Sequence, residues 1–187
     1  MNKFFGLIFI CALAFGMSSC GSDDNDDVEI LNYDGDNVTG PFFQQGAYAT
    51  AARFPSATTS LFEGQILNSV ELYILEQPSS ANLTIYRGDG STAPVGEISS
   101  QSLGSLTTNS WNTITLDTPY TIDGTEIWIG IEFSLDSGAQ VIGCDAGPAN
   151  RNGDYLLQNS DGIWTTFRDL TVTESINWNI RGVLSAN

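Results

Sequence analysis

Two turn-forming stretches of the sequence concentrate oxygen-bearing side chains of the kind that bind hard cations. The first, YDGDN, supplies Asp34, Asp36 and Asn37. The second, CDAGPANRNGD, supplies Asp145, Asn150, Asn152 and Asp154. Calcium takes about six to eight oxygen ligands from carboxylates, amides and backbone carbonyls, and the neighbouring Gly and Asn residues allow tight turns. These loops are therefore candidates for a structural calcium site, with ordinary turn formation as the alternative.

The absence of histidine from the sequence limits the catalytic chemistry that the other residues can carry out. Cys144 has no imidazole to activate it as a nucleophile, and one thiol without histidine cannot complete a zinc site, so a small buried thiol is expected. A glycoside hydrolase needs two carboxylates about 5–9 Å apart. Glu71 and Glu132 could provide such a pair from the polar faces of predicted strands, although nothing in the sequence fixes it. The sequence therefore predicts a protein that is not an enzyme.

The aromatic faces of tryptophan side chains can pack on sugar rings. The chain has four such residues: Trp111, Trp128, Trp164 and Trp178. Trp178 shares a predicted strand face with Ile176 and Ile180, which indicates the core. Trp128 and Trp164 lie opposite the aliphatic residues of their strands. They are the candidates for an exposed or groove-lining role in ligand binding.

The N-terminal residues combine a positive charge, an apolar run and a cysteine. Lys3 precedes the apolar segment FFGLIFICALAFG, which is shorter than the roughly 20 residues of a membrane-spanning helix. Small serines come directly before Cys20, so residues 1–19 have the pattern of a cleaved signal peptide. The sequence MSSC resembles the lipobox of bacterial lipoproteins. This resemblance implies that Cys20 is acylated and anchors the mature chain to a membrane.

An acidic stretch follows the cysteine, and residues 20–32 are predicted to be a lipidated cysteine and its tether. The stretch GSDDNDD contains four aspartates and no apolar period. Gly21 and this acidic run resemble the signals that direct certain Gram-negative lipoproteins to the outer membrane and the cell surface, and a solvated spacer is the alternative. The chain has a formal net charge of −16, which would repel nucleic acid, so nucleic acid is not an expected partner.

The elements that must position these side chains are short β-strands within residues 33–187. Apolar and polar residues alternate along most of this region, most clearly in EIWIGIEFSL. Asp161-Gly162 marks a hairpin turn within DYLLQNSDGIWTTF. About eight to ten strands of this kind predict an all-β fold, an antiparallel β-sandwich with jelly-roll topology.

Four segments of the second half follow one another in a characteristic order. TIDGTEIWIGIEF, GCDAGPANRNGDYL, GIWTTF and NWNIRGVL run from Thr121 to Leu184. This order is similar to the cleaved-adhesin type of module in bacterial haemagglutinins and gingipain adhesin regions, carried here on a chain that resembles surface lipoproteins of Gram-negative anaerobes. The resemblance implies a jelly-roll sandwich that binds host proteins or glycans. It also implies structural calcium, which some of those modules carry.

Together these features predict an outer-membrane lipoprotein that is exposed at the cell surface. Its expected function is adhesin-like recognition of a glycan or of a host or partner protein, without catalysis. Its expected contacts are that ligand and, through the lipid anchor, the membrane. A structural accessory subunit of an envelope complex is one alternative. A glycan-active enzyme that uses paired carboxylates is the other.

Overall fold

The computed structural model describes residues 28–158, 162–171 and 173–186. The predicted signal peptide, the lipidation site Cys20 and the acidic run lie outside the described residues, so these three features stay predictions. Within the described ranges, no helix is long and apolar enough to cross a membrane.

The regular structure of the described chain is almost entirely β, which confirms the predicted fold class. The strands are β1 (Glu29–Leu31), β2 (Gly46–Phe54), β3 (Ile66–Ile74), β4 (Ser80–Arg87), β5 (Gly96–Leu103), β6 (Ser110–Thr121), β7 (Ile127–Leu135), β8 (Tyr155–Gln158), β9 (Ile163–Thr166) and β10 (Ile180–Ser185). The helical elements are α1 (Ser56–Thr59), a 3-10 turn (Ser60–Phe62) and α2 (Phe167–Leu170). The pairing of β8 with β9 confirms the predicted hairpin, whose tip at 159–161 is outside the described residues.

Two antiparallel sheets form the predicted sandwich. The four-stranded sheet has the order β1-β10-β3-β6, and the six-stranded sheet has the order β5-β4-β7-β2-β8-β9. Strands that are distant in the chain, such as β1 and β10, are therefore neighbours in the sheet. The folded domain also begins earlier than the predicted boundary at residue 33, because β1 pairs with β10 and its Leu31 is only 2% exposed.

The core lies between the inward faces of the two sheets, as the alternation predicts. On β3, Val70, Leu72 and Ile74 are fully buried. On β7, every second side chain from Ile127 to Leu135 is buried in the same cluster. Complete burial of each such aliphatic side chain contributes about 1.5–3 kcal/mol to folding. The inward faces of these strands therefore account for much of the stability of a domain without a disulfide among its described residues.

The four-stranded sheet has two ends that differ in what they carry. At one end, called the tether end because the predicted tether precedes it in the sequence, Glu29 of β1 pairs with Leu184 of β10. At the far end, where β10 begins at Ile180, an irregular segment closes the sandwich. In that segment Gly143 is inserted between neighbours, since its N–H donates to the carbonyl of Tyr73 (2.8 Å) and its carbonyl accepts from Asn179 (2.9 Å). The far end is therefore built from loops.

Candidate functional site

A surface cleft of about 740 Å³ opens at the far end of the sandwich. Its lining residues come from three stretches of the chain: Val38 to Phe42; Gln140 and Cys144 to Ala146; and Phe167, Thr171 and Thr173 to Ile176. Ligand pockets in proteins commonly have volumes of about 300–1,000 Å³ and combine apolar walls with a few polar groups. The cleft matches that description in size and in composition.

Antiparallel backbone bridges hold two walls of the cleft together. The N–H of Val38 donates to the carbonyl of Cys144 (2.9 Å), and the N–H of Cys144 donates to the carbonyl of Thr39 (2.7 Å). A second pair of bonds joins Phe43 and Ala139 in both directions, at 2.9 and 3.0 Å. Side chains at the rim of these two walls are therefore carried by a rigid, hydrogen-bonded backbone.

The third wall is attached to the core by an aromatic contact and by backbone bonds. The ring of Phe167 packs edge-on against Trp178, with ring centroids 5.5 Å apart, and its N–H donates to the carbonyl of Asp154 (2.7 Å). Trp178 is 1% exposed, which confirms its predicted place in the core. The wall is therefore fixed to the same core that supports the other two.

Phe42 presents an aromatic side chain at the cleft, which was not predicted from the sequence. Its side chain is 60% exposed, whereas that of the adjacent Phe43 is 5% exposed. A Cβ atom on Gly138 would lie 2.4 Å from the Phe42 ring, so this glycine lets the ring sit against the backbone. Two adjacent phenylalanines after a proline, in TGPFFQQG, were the available signal, because neighbouring side chains in an extended segment point in opposite directions.

Two carboxylates line the cleft, and Asp145 is the buried one. Its oxygens accept four hydrogen bonds: from the backbone N–H groups of Gly35, Gly147 and Asn177, and from the Asn177 amide, at 2.7–3.1 Å. Burial alone would raise the pKa of Asp145, but these donors outweigh burial and hold that pKa below its ordinary value. Asp145 therefore ties the walls together as an ionised, fully bonded group.

Cys144 is fully buried, which confirms the prediction of a small buried thiol. Burial, with a smaller contribution from the charge of Asp145, raises the pKa of the Cys144 thiol to about 12. The thiol is therefore neutral at physiological pH and is a poor nucleophile.

The structure brings the two candidate calcium loops together, through the bond from Gly35 to Asp145. The carboxylates themselves are engaged by protein donors: Asp34 pairs with Arg181 (2.9 Å) and Asp154 pairs with Arg168 (2.8 Å). Asp36 and Asn152 form no ion pair with these arginines. The Asn150 carbonyl accepts a hydrogen bond from Arg168, and its amide oxygen accepts the N–H of Asn152. Among the described residues, no group of three or more acidic, His or Cys side chains is placed to hold a metal. These carboxylates do not fit one shared calcium ion, and calcium binding stays a prediction.

The prediction that Trp128 is exposed is wrong, since its side chain is 0% exposed. Its indole N–H donates to Glu126 (2.9 Å), and the guanidinium of Arg53 lies 5.6 Å from its ring. The side chain does point away from the aliphatic face, as predicted, but Trp164 of β9 and Tyr155 of β8 cover it, with centroids 5.6 and 4.3 Å away. Trp164 itself is half-buried. The alternation identified the face correctly but could not show what covers it.

The carboxylate pair suggested for glycan hydrolysis is also wrong. Glu71 is on β3 of the four-stranded sheet, and Glu132 is on β7 of the six-stranded sheet. Both alternate with inward core residues, so the two side chains lie on opposite outer faces of the sandwich. Packed sheets are about 10 Å apart, which places these side chains beyond the spacing that hydrolysis requires. Glu132 instead accepts a hydrogen bond from the hydroxyl of Tyr86.

No family model and no curated protein matches this chain. Two solved structures are similar to it in fold. One is the Clostridial cysteine protease Cwp84 after propeptide cleavage, with a TM-score of 0.64 and 11% identity over 86% of this chain and 41% of that chain. The other contains the cysteine protease and lectin-like domains of Cwp84, a surface layer associated protein of Clostridium difficile, with a TM-score of 0.65 and 12% identity over 88% of this chain and 37% of that chain.

The likeness concerns one part of those proteins. The chain spans about two fifths of their length, and the matched part is the lectin-like domain rather than the catalytic one. At such low identity the likeness shows the β-sandwich fold alone. The similarity to cleaved-adhesin modules stays a prediction.

Proposed function

We propose that this protein is a lectin-like binding module at the cell surface, without catalytic activity, and that the far-end cleft binds a glycan or a segment of a protein. The observation that carries the proposal is the exposed ring of Phe42 beside hydroxyl groups such as those of Thr39 and Thr173 in a cleft of ligand size. A ring that accepts the apolar face of a sugar, next to groups that bond its hydroxyls, is a combination suited to glycans. Lectin-like domains in proteins of the same fold support this function.

The position of the cleft supports display at a surface. The described chain begins at the tether end of β1, and the cleft lies beyond the first residue of β10 at the far end. From Leu184 to Ile180 the strand rises about 13 Å, at roughly 3.3 Å per residue. If Cys20 carries lipid in the outer membrane, as its lipobox-like context implies, the domain is attached at the end of this sheet that is opposite to the cleft.

The experiment uses the chain without residues 1–19, carrying Cys20→Ser, on arrays of glycans and extracellular-matrix proteins. We expect binding, and we expect Phe42→Ala to weaken it by at least about tenfold, in line with the loss of a central aromatic contact. Leu61→Ala is the matched control, because Leu61 is 77% exposed and lies outside the cleft. Equal losses for the two variants, or none for Phe42→Ala, would contradict the cleft as the binding site.

Trp164 remains a candidate contact for a ligand on the outer face of the six-stranded sheet. It packs edge-on against Trp128 and Tyr86, at 5.6 and 5.9 Å, and is half-buried. Trp164→Phe preserves much of that packing and removes the indole, so a loss of binding without a loss of stability would locate a ligand there. A blank array together with one fixed protein that co-purifies from the envelope would favour the accessory-subunit alternative.

Structural calcium is tested by the melting temperature of the same protein. Binding of an ion to the folded state alone raises that temperature by mass action. A fall in EGTA that added calcium restores would establish the ion, and Asp36→Ala would then abolish the shift if the first loop holds it. An unchanged melting temperature in EGTA would contradict a structural calcium ion.

A further inference from the structure

We infer that the cleft selects uncharged glycans and discriminates against anionic ones, such as sialylated, uronic or sulfated sugars. The inference rests on the proposed function, since it concerns the ligand class of the same cleft. It follows from the charges that line the cleft and from the places where the nearby arginines are held.

The ionised side chains that line the cleft are both acidic. They are Asp145, which is 7% exposed, and Glu174, which is exposed at the rim. The described lining contains no arginine, and the sequence beyond Lys3 contains no lysine. An anionic sugar entering the cleft would therefore meet like charge without a counter-charge, on a chain whose formal net charge is already −16.

The arginine that adjoins the cleft lining, Arg168, is held by acceptors of the protein itself. Arg168 follows the lining residue Phe167, but its guanidinium pairs with Asp154 (2.8 Å) and donates to the carbonyls of Asn150 and Arg151, each at 2.8 Å. None of these three partners is a lining residue of the cleft. A guanidinium held by a carboxylate and two carbonyls has few N–H donors left for a ligand.

Arg181 is held in the same way on the outer face of the four-stranded sheet. Its guanidinium pairs with Asp34 (2.9 Å) and lies 4.0 Å from the centroid of the Trp111 ring. Arg151, on the turn before β8, is not among the lining residues. The described part of the chain therefore brings no free cation to the cleft.

The same lining suits an uncharged, hydroxyl-rich ligand. Asp145 has its oxygens filled by four N–H donors, so its charge is already compensated within the protein. That leaves Glu174 as an exposed acceptor for sugar hydroxyls, with neutral groups of Thr39, Gln140 and Thr173 around it. One solvent-exposed carboxylate is screened by salt and attracts a cation only weakly, so the lining does not specify a cationic ligand.

The test is a panel of oligosaccharides that share one neutral core and differ only in added sialic acid, uronic acid or sulfate. We expect the neutral member to bind and the anionic members to bind about two- to fivefold more weakly at low salt, the effect of one exposed like charge. The difference in affinity between neutral and anionic members should narrow as the sodium chloride concentration is raised, because the repulsion is electrostatic. Glu174→Gln should narrow it as well, whereas Glu63→Gln, an exposed acid outside the cleft, should not.

Each other outcome overturns a distinct claim. Anionic glycans that bind as tightly as the neutral one, with binding that Phe42→Ala abolishes, would overturn the inference and keep the cleft as the site. A preference for a lysine-rich peptide over every glycan would overturn the inference in favour of a cationic ligand. Absence of binding by both glycan classes would overturn the glycan function itself and the inference with it.

Discussion

Arg53 and Glu126 form an ion pair that is almost completely withdrawn from water. Their side chains are 13% and 5% exposed, and the guanidinium lies 2.8 Å from the carboxylate. The Trp128 indole donates to the other carboxylate oxygen at 2.9 Å, and Arg53 also donates to the hydroxyl of Tyr155. A buried charge of this kind is tolerated because its partners replace the water that it has lost.

We expect Glu126→Ala to lower the free energy of unfolding by about 3–5 kcal/mol, since it leaves the Arg53 charge buried without a partner. Arg87→Ala is the matched control: its pair with Asp123 is 3.9 Å long, and both side chains are about half exposed. Exposed pairs of this kind contribute about 0–1 kcal/mol. Urea denaturation at pH 7 measures both. A similar loss for the two variants would show that burial does not decide the strength of the pair.

Asp145 and Asp154 are predicted to respond to pH in opposite senses. The N–H donors around Asp145 hold its pKa low, so its contribution to stability is present above about pH 3.9 and is lost as the pH falls through the folded-state pKa. Burial raises the pKa of Asp154, only partly offset by Arg168. Its contribution is therefore full below about pH 3.9 and is lost as the pH rises through the folded-state pKa.

The measurement is the free energy of unfolding in urea between about pH 3 and pH 7. At pH 7 we expect Asp145→Asn to be about 2–4 kcal/mol less stable than the native chain, because two carboxylate acceptors are replaced by one amide oxygen. That deficit should shrink below about pH 4. For Asp154→Asn, the free energy of unfolding of the native chain should instead fall relative to that of the variant as the pH rises from about 4. Parallel pH profiles for the two variants would refute the assignment.

At the residue scale the sequence predicted the burial of some side chains, but not which distant residues surround a given side chain. Trp178 and Cys144 were placed correctly, because alternation with Ile176 and Ile180 and the lack of a histidine were enough. The surroundings of Trp128 come from β8 and β9, and those of Asp145 from Gly35 and Asn177. Such contacts join residues far apart in the chain, and no local pattern encodes them.

Gly130 of β7 pairs with Ala51 of β2 at a place where the two strands leave no room for a side chain. A Cβ atom at Gly130 would lie 2.7 Å from the carbonyl oxygen of Thr50 and 3.1 Å from the Cβ of Ala51. The first of these atoms belongs to the backbone, so it cannot move without disturbing the sheet. The centre of the six-stranded sheet therefore depends on the absence of a side chain at this position.

We expect Gly130→Ala to destabilise the fold by about 1–3 kcal/mol, the usual cost of an overpacked site. Gly96→Ala is the control at the start of the edge strand β5, where an added Cβ would meet nothing within 4 Å. Its effect should stay within about 0.5 kcal/mol. Unfolding midpoints in urea compare the two. Equal midpoints for both variants would mean that β2 and β7 can separate freely at Gly130.

At the element scale the long strands were predictable and the cleft was not. Strands β3 and β7 have strict alternation, and Asp161-Gly162 indicated the hairpin of β8 and β9. The cleft is made of irregular segments, with Val38 and Cys144 joined by a backbone bond across more than a hundred residues of sequence. Its walls show no regular alternation of apolar and polar residues. Their contact depends on the order of strands in the sheets rather than on a local sequence pattern.

At the scale of the whole domain, the cleft and the first strand residue, Glu29, lie at opposite ends of the four-stranded sheet. The β4–β5 loop lies near the tether end, since Arg87 at the start of this loop contacts Asp123 just after β6. This polarity makes the point of attachment decisive for binding. A surface that covers the tether end leaves the cleft open, and one that covers the far end closes it.

We expect the domain to bind its ligand when it is coupled to a sensor through Ser91→Cys in the β4–β5 loop. We expect it to lose most of that capacity when it is coupled through Leu170→Cys, an exposed position outside the cleft lining and next to its Thr171. Both variants carry Cys20→Ser, and Cys144 is too buried to compete for coupling. Both should still bind in free solution, which controls for effects of the substitutions themselves. Equal capacity of the two coupled forms would place the ligand site elsewhere.

The burial of Cys144 makes its reactivity a reporter of local opening at the cleft. Once Cys20 is acylated or replaced and residues 1–19 are removed, Cys144 is the sole thiol of the chain. With a pKa of about 12 and no exposed surface, it can react with a thiol reagent only during moments when the cleft wall separates from the core. The rate at which the reagent labels Cys144 therefore reports how often the wall separates. A ligand bound in the cleft lowers this labelling rate in proportion to its occupancy. A ligand of unknown identity can therefore be sought by its effect on the reaction of one native sulfur atom, without a probe attached beforehand to either molecule.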